Sequence, residues 1–412
     1  MSSYAKKILL IAALILLIAG DAFSLSEKKI DGWDIRLTGY IKNIFLYTEP
    51  IDIPANVMLG LPPNSPSIPD KISFDEHYDN YTRLRIRMSG KRGDKYAWEL
   101  HYELMGIAMN PDFVKLDSSV NNKHTEQYLM LQDTLTEQPG YEISHRLDRA
   151  WFRWSPNWGE FVVGRQAITW TVGKLWFPLD RFSPFLPFDI DQDEKTGVDA
   201  VNVAFNLGAL NSIRFIYAPL DECDETRAGA LLKASLKGFD LQAMGGYFSE
   251  DRVFGGSVSH NIFGAVARVE YAYTNPENLK YDDRWSIVAN ADMGFGRDIY
   301  VAAEYFHQSA GMTNDVKYWR VIDMVDSLKL AGFAQDYAGI IFSYSVTPLL
   351  KPSIVSVINL NDGSYFLGPK IEYKPVENLT LAAGANLFFA SDKRSELGMN
   401  PDILYGTVKV FF

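Results

Sequence analysis

Arginine occupies every second position of one short segment, with apolar residues between. Arg83, Arg85 and Arg87 belong to the segment TRLRIRM, residues 82–88. Because successive side chains of a β-strand point to opposite faces, the three guanidinium groups would share one face and the apolar residues the other. Such a row selects ions by charge, or it pairs with carboxylates. The elements around this strand decide between these two chemistries.

Composition limits the classes of protein to which the chain can belong. The chain has 412 residues, 14% of them aromatic, which is typical of chains that line a membrane interface. Its formal net charge of -11 argues against a nucleic-acid partner, because such a partner requires a basic surface. Cys223 is the only cysteine, which excludes an intrachain disulfide and a Cys-x-x-Cys-His haem attachment.

The N-terminus predicts export. A short basic start precedes the 13-residue apolar run ILLIAALILLIAG, and small residues follow it before Leu25. We predict a cleaved signal peptide over residues 1–24, Sec-type export, and a mature domain over residues 25–412. The alternative is an uncleaved anchor, although the run is too short to span a bilayer as a helix.

Beyond residue 25 the recurring pattern is a segment of roughly ten residues with period-two alternation. Eighteen such segments predict strands at 33–47, 80–91, 95–107, 146–155, 159–168, 197–206, 210–218, 227–237, 239–250, 252–259, 262–274, 284–294, 298–308, 335–346, 349–359, 364–374, 377–390 and 402–412. The weakest is 252–259, which is required if the strand number is even. Sixteen strands result if two marginal segments merge.

Short and long connections alternate between these strands. Tight links such as residues 92–94 and 237–238 alternate with long ones at 108–145, 169–196 and 309–334. This is typical of a transmembrane antiparallel β-barrel with long external loops in the outer membrane of a Gram-negative bacterium, in contact with its lipid. Residues 314–332 predict a short helix in one external loop.

The last strand carries a specific signal. In ILYGTVKVFF, apolar residues occupy alternate positions and the chain ends in phenylalanine. We interpret this face as the assembly signal read by the barrel-assembly machinery; its residues are Leu404, Val408, Val410 and Phe412.

Alternation assigns side chains to lipid or to the lumen. Lipid offers no hydrogen-bonding partner, and an arginine facing it at the midplane costs roughly 2–4 kcal/mol. We therefore predict a luminal basic surface formed by Arg83, Arg85, Arg87, Arg149, Arg153 and Arg165. The other predicted luminal residues are Glu99, His101, Glu103, Arg268 and Glu270.

A barrel of this size is too wide to be filled by its own side chains. The connection at 169–197 is rich in proline and aromatic residues and is too apolar for an exposed loop. We predict that it folds into the lumen as a constriction, burying Leu175, Trp176, Phe177, Phe182, Phe185 and Phe188. Its acidic run would face the channel; the residues are Asp189, Asp191, Asp193 and Glu194.

Two interpretations of the luminal charges are open. In one, the basic wall and the acidic loop oppose each other across a gap, and the transverse field selects permeants by charge and dipole. In the other, the arginines pair with nearby carboxylates and hold the barrel interior together. The sequence does not decide between them.

The segment at residues 161–203 resembles one in porin-like barrels related to the alginate-export family. It contains a GRQ strand end, a P-x-D-x-F element at 178–182, an acidic stretch and a GVDA strand start. The resemblance implies an 18-stranded barrel with an arginine-rich lumen and passive transport of an anionic polysaccharide. The acidic loop and the negative net charge depart from that pattern and argue against alginate itself.

These patterns predict a porin-like channel for passive diffusion or export of small polar or anionic solutes, including saccharides. We assign no catalytic residue, metal or cofactor. The alternatives are a barrel that sheathes a partner such as a multihaem cytochrome, and a closed barrel acting as a surface adhesin. The sequence does not indicate the oligomeric state.

Overall fold

The computed structural model describes residues 26–55, 71–109, 127–183, 187–220, 226–278, 281–314, 318, 330–392 and 394–412. The predicted signal peptide at 1–24 lies outside the described residues. So do Phe185 and most of the predicted helix at 314–332, namely 315–317 and 319–329.

Period-two alternation produces a chain of antiparallel strands. The strands are β1 (Ser26–Ile30), β2 (Trp33–Thr48), β3 (Ile51–Pro54), β4 (Lys71–Phe74), β5 (His77–Arg92), β6 (Tyr96–Ala108), β7 (Gln132–Gln138), β8 (Tyr141–Trp154), β9 (Gly159–Gln166), β10 (Val198–Asn206), β11 (Ser212–Ala218), β12 (Arg227–Leu236), β13 (Phe239–Phe248), β14 (Asp251–Ile262), β15 (Ala265–Pro276), β16 (Arg284–Phe295), β17 (Ile299–Gln308), β18 (Asp336–Tyr344), β19 (Leu350–Asn359), β20 (Tyr365–Val376), β21 (Leu379–Phe389) and β22 (Ile403–Phe411). A 3-10 turn at Leu397–Met399 follows β21.

Eighteen of these strands form a closed barrel. They are β2, β5, β6 and β8 to β22, and each pairs with its neighbour in the chain order. The pairing of β2 with β22, from Tyr40↔Phe411 to Thr48↔Ile403, closes the circle. The prediction of eighteen strands is confirmed, including the weak segment at 252–259, which is the central part of β14.

The remaining four strands are short additions that lie outside the eighteen predicted segments. β1 pairs with the first residues of β2, and β7 pairs with β8 beyond the end of β9. β3 and β4 form a separate two-stranded sheet in the first long connection. Among the described residues, no helix is long and apolar enough to cross a membrane.

The two faces of the wall differ as alternation requires. On β5, Ile86 and Met88 are 38% and 39% exposed on the outer surface, whereas Arg85, which precedes Ile86, is fully buried. In the closing strand, Lys409 points inward and contacts Asp193 of the β9–β10 connection. Leu404, Val408 and Val410 have the opposite parity in β22, and Phe412 follows on the same side.

Phe412 extends the pairing of the two barrel ends by one residue. Its N–H donates to the Gly39 carbonyl over 3.0 Å, and the Gly39 N–H donates to the Phe412 carbonyl over 2.8 Å. The C-terminal residue is therefore part of the seam that closes the barrel.

Candidate functional site

The described residues of the connection between β9 and β10, 167–183 and 187–197, lie inside the barrel, and we call them the inner loop. In chain order it contacts side chains of β13, β15, β17, β20, β21, β2, β22, β5 and β8. The inner loop therefore follows the barrel wall around almost its whole circumference. The predicted constriction by this segment is confirmed as a feature of the fold.

One side of the inner loop packs through apolar residues. Leu175, Trp176 and Phe182 are buried, as predicted, and the Trp176 ring stacks on Phe306 of β17 at a centroid distance of 5.5 Å. Phe177 and Phe188 are only partly buried. Burial of these side chains drives the inner loop onto the wall, because each removes apolar surface from water.

Two inward glycines make this close approach possible. A Cβ atom built on Gly339 of β18 would lie 2.3 Å from Leu175 Cδ1, and one on Gly255 of β14 would lie 2.5 Å from Leu179 Cδ2. Any larger residue at these two positions would push the inner loop away from the wall.

Two buried glutamates bind the backbone of the inner loop. Glu270 of β15 accepts hydrogen bonds from the Val172 and Leu179 N–H groups over 2.6 and 2.9 Å. Glu304 of β17 accepts from three consecutive N–H groups over 2.7–2.8 Å; the donors are Lys174, Leu175 and Trp176. Buried carboxylates need such partners, because an unpaired charge in the interior is very costly.

Glu270 is among the predicted luminal residues, whereas Glu304 is not. The sequence pattern that could identify Glu304 is a single inward carboxylate among apolar residues in the segment VAAEYF, residues 301–306. Nothing local to β17 indicates that the partner is loop backbone.

The opposite side of the inner loop is held by ion pairs. Asp191 receives the Arg83 guanidinium over 2.6 Å and the Lys42 ammonium over 2.9 Å. Asp193 pairs with Lys42 over 2.8 Å and with Lys409 over 2.9 Å. Burial alone would raise the pKa of both aspartates, but these cations outweigh it and hold each pKa below its usual range.

The remaining predicted acidic residues differ in their environment. Glu194 pairs with Arg87 and lies 3.6 Å from Arg85. Asp189 is half-buried in the inner loop. Hence at least three of the four carboxylates predicted to face the channel bind basic side chains of the wall directly.

Arg85 lies at the centre of a buried charge cluster. Its guanidinium pairs with Glu103 and lies 2.6 Å from Asp148 Oδ2 and 2.9 Å from His101 Nδ1. Glu103 also pairs with Arg146, and His101 lies 3.5 Å from Glu99. The three predicted luminal residues of β6 therefore belong to one network with the arginine row.

A β-bulge brings Asp148 into this cluster. The register of β6 and β8 shifts between His101 and Tyr102, so that Asp148 has no counterpart on β6. An extra residue in a strand re-aims its neighbouring side chains. Asp148 and Arg149 consequently pair over 2.7 Å, and both reach the end of the inner loop, at the Gly197 N–H and the Lys195 carbonyl.

Arg165 lies elsewhere. The next residue, Gln166, points to the inner face, where its side-chain oxygen accepts a hydrogen bond from the Asn202 amide. Arg165 has the opposite parity in the strand, and it is only 1% exposed. Its guanidinium binds Asp199 and the carbonyls of Leu147 and Leu129. The interpretation of Arg165 as part of the pore lining is therefore wrong, because residues near 129 cover its side of the sheet.

Arg87 and Arg153 keep water-accessible surface, with side chains 30% and 33% exposed. Arg153 lies 3.8 Å from Glu160, which in turn pairs with Arg214 over 3.2 Å. Arg268 pairs with Asp292, which also lies 3.5 Å from Lys174 of the inner loop. These charges of both signs face the remaining open space.

An ion pair links two distant parts of the inner loop. Lys195, near β8, pairs with Asp180, and its ammonium lies 5.3 Å from the centre of the Phe177 ring. The part of the loop around residues 177–180 is attached to Glu270 of β15. This contact therefore bridges the interior from the β8 side to the β15 side.

The geometry favours one of the two interpretations of the luminal charges. Arg83, Arg85 and Arg149 are buried and bonded to carboxylates or carbonyls, so no gap separates them from the acidic loop. Their visible role is to hold the inner loop against the wall.

Comparison with solved structures identifies proteins of the same architecture. OccAB4 of Acinetobacter baumannii superposes with a TM-score of 0.54 and 9% identity, covering 94% of this chain and 99% of that chain. OccD3 (OpdP) of Pseudomonas aeruginosa gives a TM-score of 0.51 and 11% identity, covering 94% and 93%. This chain shares their fold. No family model and no curated protein matches the sequence.

Proposed function

We propose that this chain forms an outer-membrane channel for passive diffusion of small polar or anionic solutes, including saccharides. The observation that carries the proposal is the inner loop, which narrows a closed barrel without removing its water-exposed luminal charges. Arg87, Arg153, Glu160 and Arg214 all retain between 29% and 33% side-chain exposure. A solute passing through would meet these groups.

A cavity of about 280 Å³ between the inner loop and β18 to β22 supports this proposal. Its polar lining comes from both partners: Lys174, Gln192 and Asp193 of the inner loop, and Lys370 and Tyr405 of the wall. Such a mixture of charges and hydrogen-bonding groups suits hydrated, polar solutes rather than apolar ones.

Location and assembly follow from the same proposal. An outer surface of apolar side chains around a closed backbone is suited to lipid, and we expect outer-membrane insertion in a Gram-negative bacterium after Sec-type export. The seam strand β22 and the following residue, Phe412, are the proposed signal for the barrel-assembly machinery. The resemblance to the alginate-export family stays a prediction.

Conductance of the purified protein in a planar lipid bilayer tests the channel. We expect an open, ion-selective channel, and liposome-swelling rates that fall with increasing size of sugars and organic acids. Neutralising the exposed arginines with Arg87→Gln and Arg153→Gln should reduce anion selectivity. A matched control is Arg36→Gln, because Arg36 is exposed and pairs with Glu27 on β1.

If the purified barrel shows no conductance, the channel proposal is wrong and the closed-barrel alternative is favoured. A sheath for a threaded partner is disfavoured by the inner loop, which occupies the lumen where such a partner would lie. Co-purification of a cytochrome with a non-conducting barrel would reverse that argument.

A further inference from the structure

A second cavity, of about 230 Å³, lies between the inner loop and the long-loop ends of β15, β16 and β17. It shares Leu175, Phe177 and Pro187 with the cavity on the other side of the loop. Its walls are largely apolar, and three charged side chains interrupt them: Arg181, Arg284 and Asp180, whose carboxylate pairs with Lys195.

The guanidinium of Arg284 is buried, and only part of its hydrogen-bonding capacity is used. Its side chain projects inward from the start of β16, 7% exposed, and Nη2 donates to Asp251 Oδ2 over 2.6 Å. Within the described part of the chain, its Nη1 has no hydrogen-bond partner. A buried N–H without a partner costs free energy, because it has lost its hydrogen bonds to water.

Arg181 has no ion pair among the described residues. Its Nη2 donates to the Thr274 hydroxyl over 2.9 Å, and its Nε has no partner there. Burial, with the charge of Arg284 adding to it, lowers the pKa of Arg181 to about 10.

The carboxylates nearest to Arg181 are already engaged. Asp251 binds Arg284, Asp180 binds Lys195, and Glu270 accepts hydrogen bonds from the inner-loop backbone. Among the described residues, the two guanidinium groups consequently share one free carboxylate partner, Asp251, and a buried cation is normally paired. An anionic ligand would supply the second partner.

We propose that this cavity binds a small organic anion, with its carboxylate on Arg181 and Arg284 and its apolar body against Phe177, Pro187 and Phe306. Guanidinium groups bind carboxylates through charge-assisted hydrogen bonds, and Thr274 and Ser286 add hydroxyl groups to the same wall. An inorganic anion would leave the apolar walls unused. The site rests on the proposed function, because a solute passing through the channel would bind there before or after it passes the inner loop, on the side of the long loops.

Calorimetric titration of the detergent-solubilised protein tests the site without requiring conductance. The probes are cyclohexanecarboxylate, its neutral amide cyclohexanecarboxamide, and inorganic phosphate, each corrected by titration into protein-free micelles. We expect saturable binding of the carboxylate and at least tenfold weaker binding of the amide and of phosphate.

Two variants locate the binding. Arg181→Gln and Arg284→Gln should each weaken carboxylate binding at least tenfold, whereas Arg36→Gln should leave it unchanged. Arg181 is in the inner loop and not in a barrel strand, so its variant keeps the test valid if Arg284→Gln fails to fold. No carboxylate binding, or equal binding by wild type and Arg181→Gln, would overturn the site.

The remaining outcomes are also decisive. Phosphate binding as tight as carboxylate binding would contradict the role of the apolar walls. If the protein binds the carboxylate but shows no conductance, the binding site is supported and the channel proposal is wrong. The two proposals can therefore be tested independently.

Discussion

Arg83 of β5 and Asp191 of the inner loop lie 108 residues apart in the chain and form a buried ion pair of 2.6 Å. Lys42 of β2 contacts the same carboxylate. This pair attaches the inner loop to the first strands of the barrel, and several measurable properties depend on it.

Removing one partner of this pair should destabilise the protein. Arg83→Gln leaves Asp191 with a single cation, and breaking a buried pair from one side costs about 3–5 kcal/mol. We expect the free energy of unfolding in lipid vesicles, measured by urea titration and tryptophan fluorescence, to fall by about 3 kcal/mol. Asp191→Asn should give a similar loss, and the double variant should lose less than the sum. Additive losses would mean that the two side chains are not coupled.

The bridge between Lys195 and Asp180 should limit the conductance. Lys195→Gln removes the charge that ties the end of the inner loop to its middle, which should widen the passage. We expect a larger single-channel conductance than in wild type. Lys28→Gln, which removes an exposed lysine on β1, serves as the control. An unchanged conductance in the Lys195 variant would show that this bridge lies outside the passage.

The attachment of the acidic run should persist to low pH. Carboxyls whose pKa is lowered in the folded state contribute stability above their unfolded pKa and lose it as pH falls through the folded value. Asp191 and Asp193 are of this kind. We expect a steady conductance from neutral pH down to about pH 4, the ordinary range of aspartate, and a change only below it.

Lys409→Gln supplies the matched comparison for this pH range. Asp193 then loses one of its two cations, so its pKa should rise toward the ordinary value. Conductance should begin to change at a higher pH than in wild type. The same onset in both proteins would contradict the assignment to Asp193.

Glu396, between β21 and β22, joins its loop to the loop between β17 and β18. The stability of this contact should fall as pH rises, which is the opposite of the dependence expected for Asp191 and Asp193. Burial raises the pKa of Glu396 to about 7, and Asp362 beside it adds to the shift. Glu396 accepts hydrogen bonds from the Tyr337 hydroxyl over 2.6 Å and the Phe333 N–H over 2.9 Å. Because its folded pKa is raised, its contribution to stability is largest below the unfolded pKa and is lost as pH rises through about 7.

Hydrogen exchange checks this pH dependence. After correction for intrinsic exchange rates, amides near Phe333 should be more protected at about pH 5.5 than at about pH 8.5. Glu396→Gln has no carboxyl to titrate and should show no such difference. Equal protection at both pH values in wild type would remove Glu396 as the responsible group.

Much of the fold follows from local properties of the sequence. Alternation with period two identifies all eighteen barrel strands, because each wall residue must face either the interior or the apolar outer surface. It also places Arg83, Arg85 and Arg87 on the inner face. The apolar composition of residues 169–197 predicts the inner loop, because a segment with Leu175, Trp176 and Phe182 gains free energy by leaving water.

Tertiary structure alone decided which charges meet. Periodicity gives the side of a strand to which an arginine points but not the carboxylate that lies opposite, so the direct pairing of Arg83 with Asp191 replaces a gap between two walls. The bulge at Asp148, the covering of Arg165 and the closeness of Arg181 to Arg284 are likewise set by contacts between segments far apart in the chain. The sequence by itself determined the barrel and its inner loop, and the three-dimensional packing determined which charges hold that loop and which stay exposed to water.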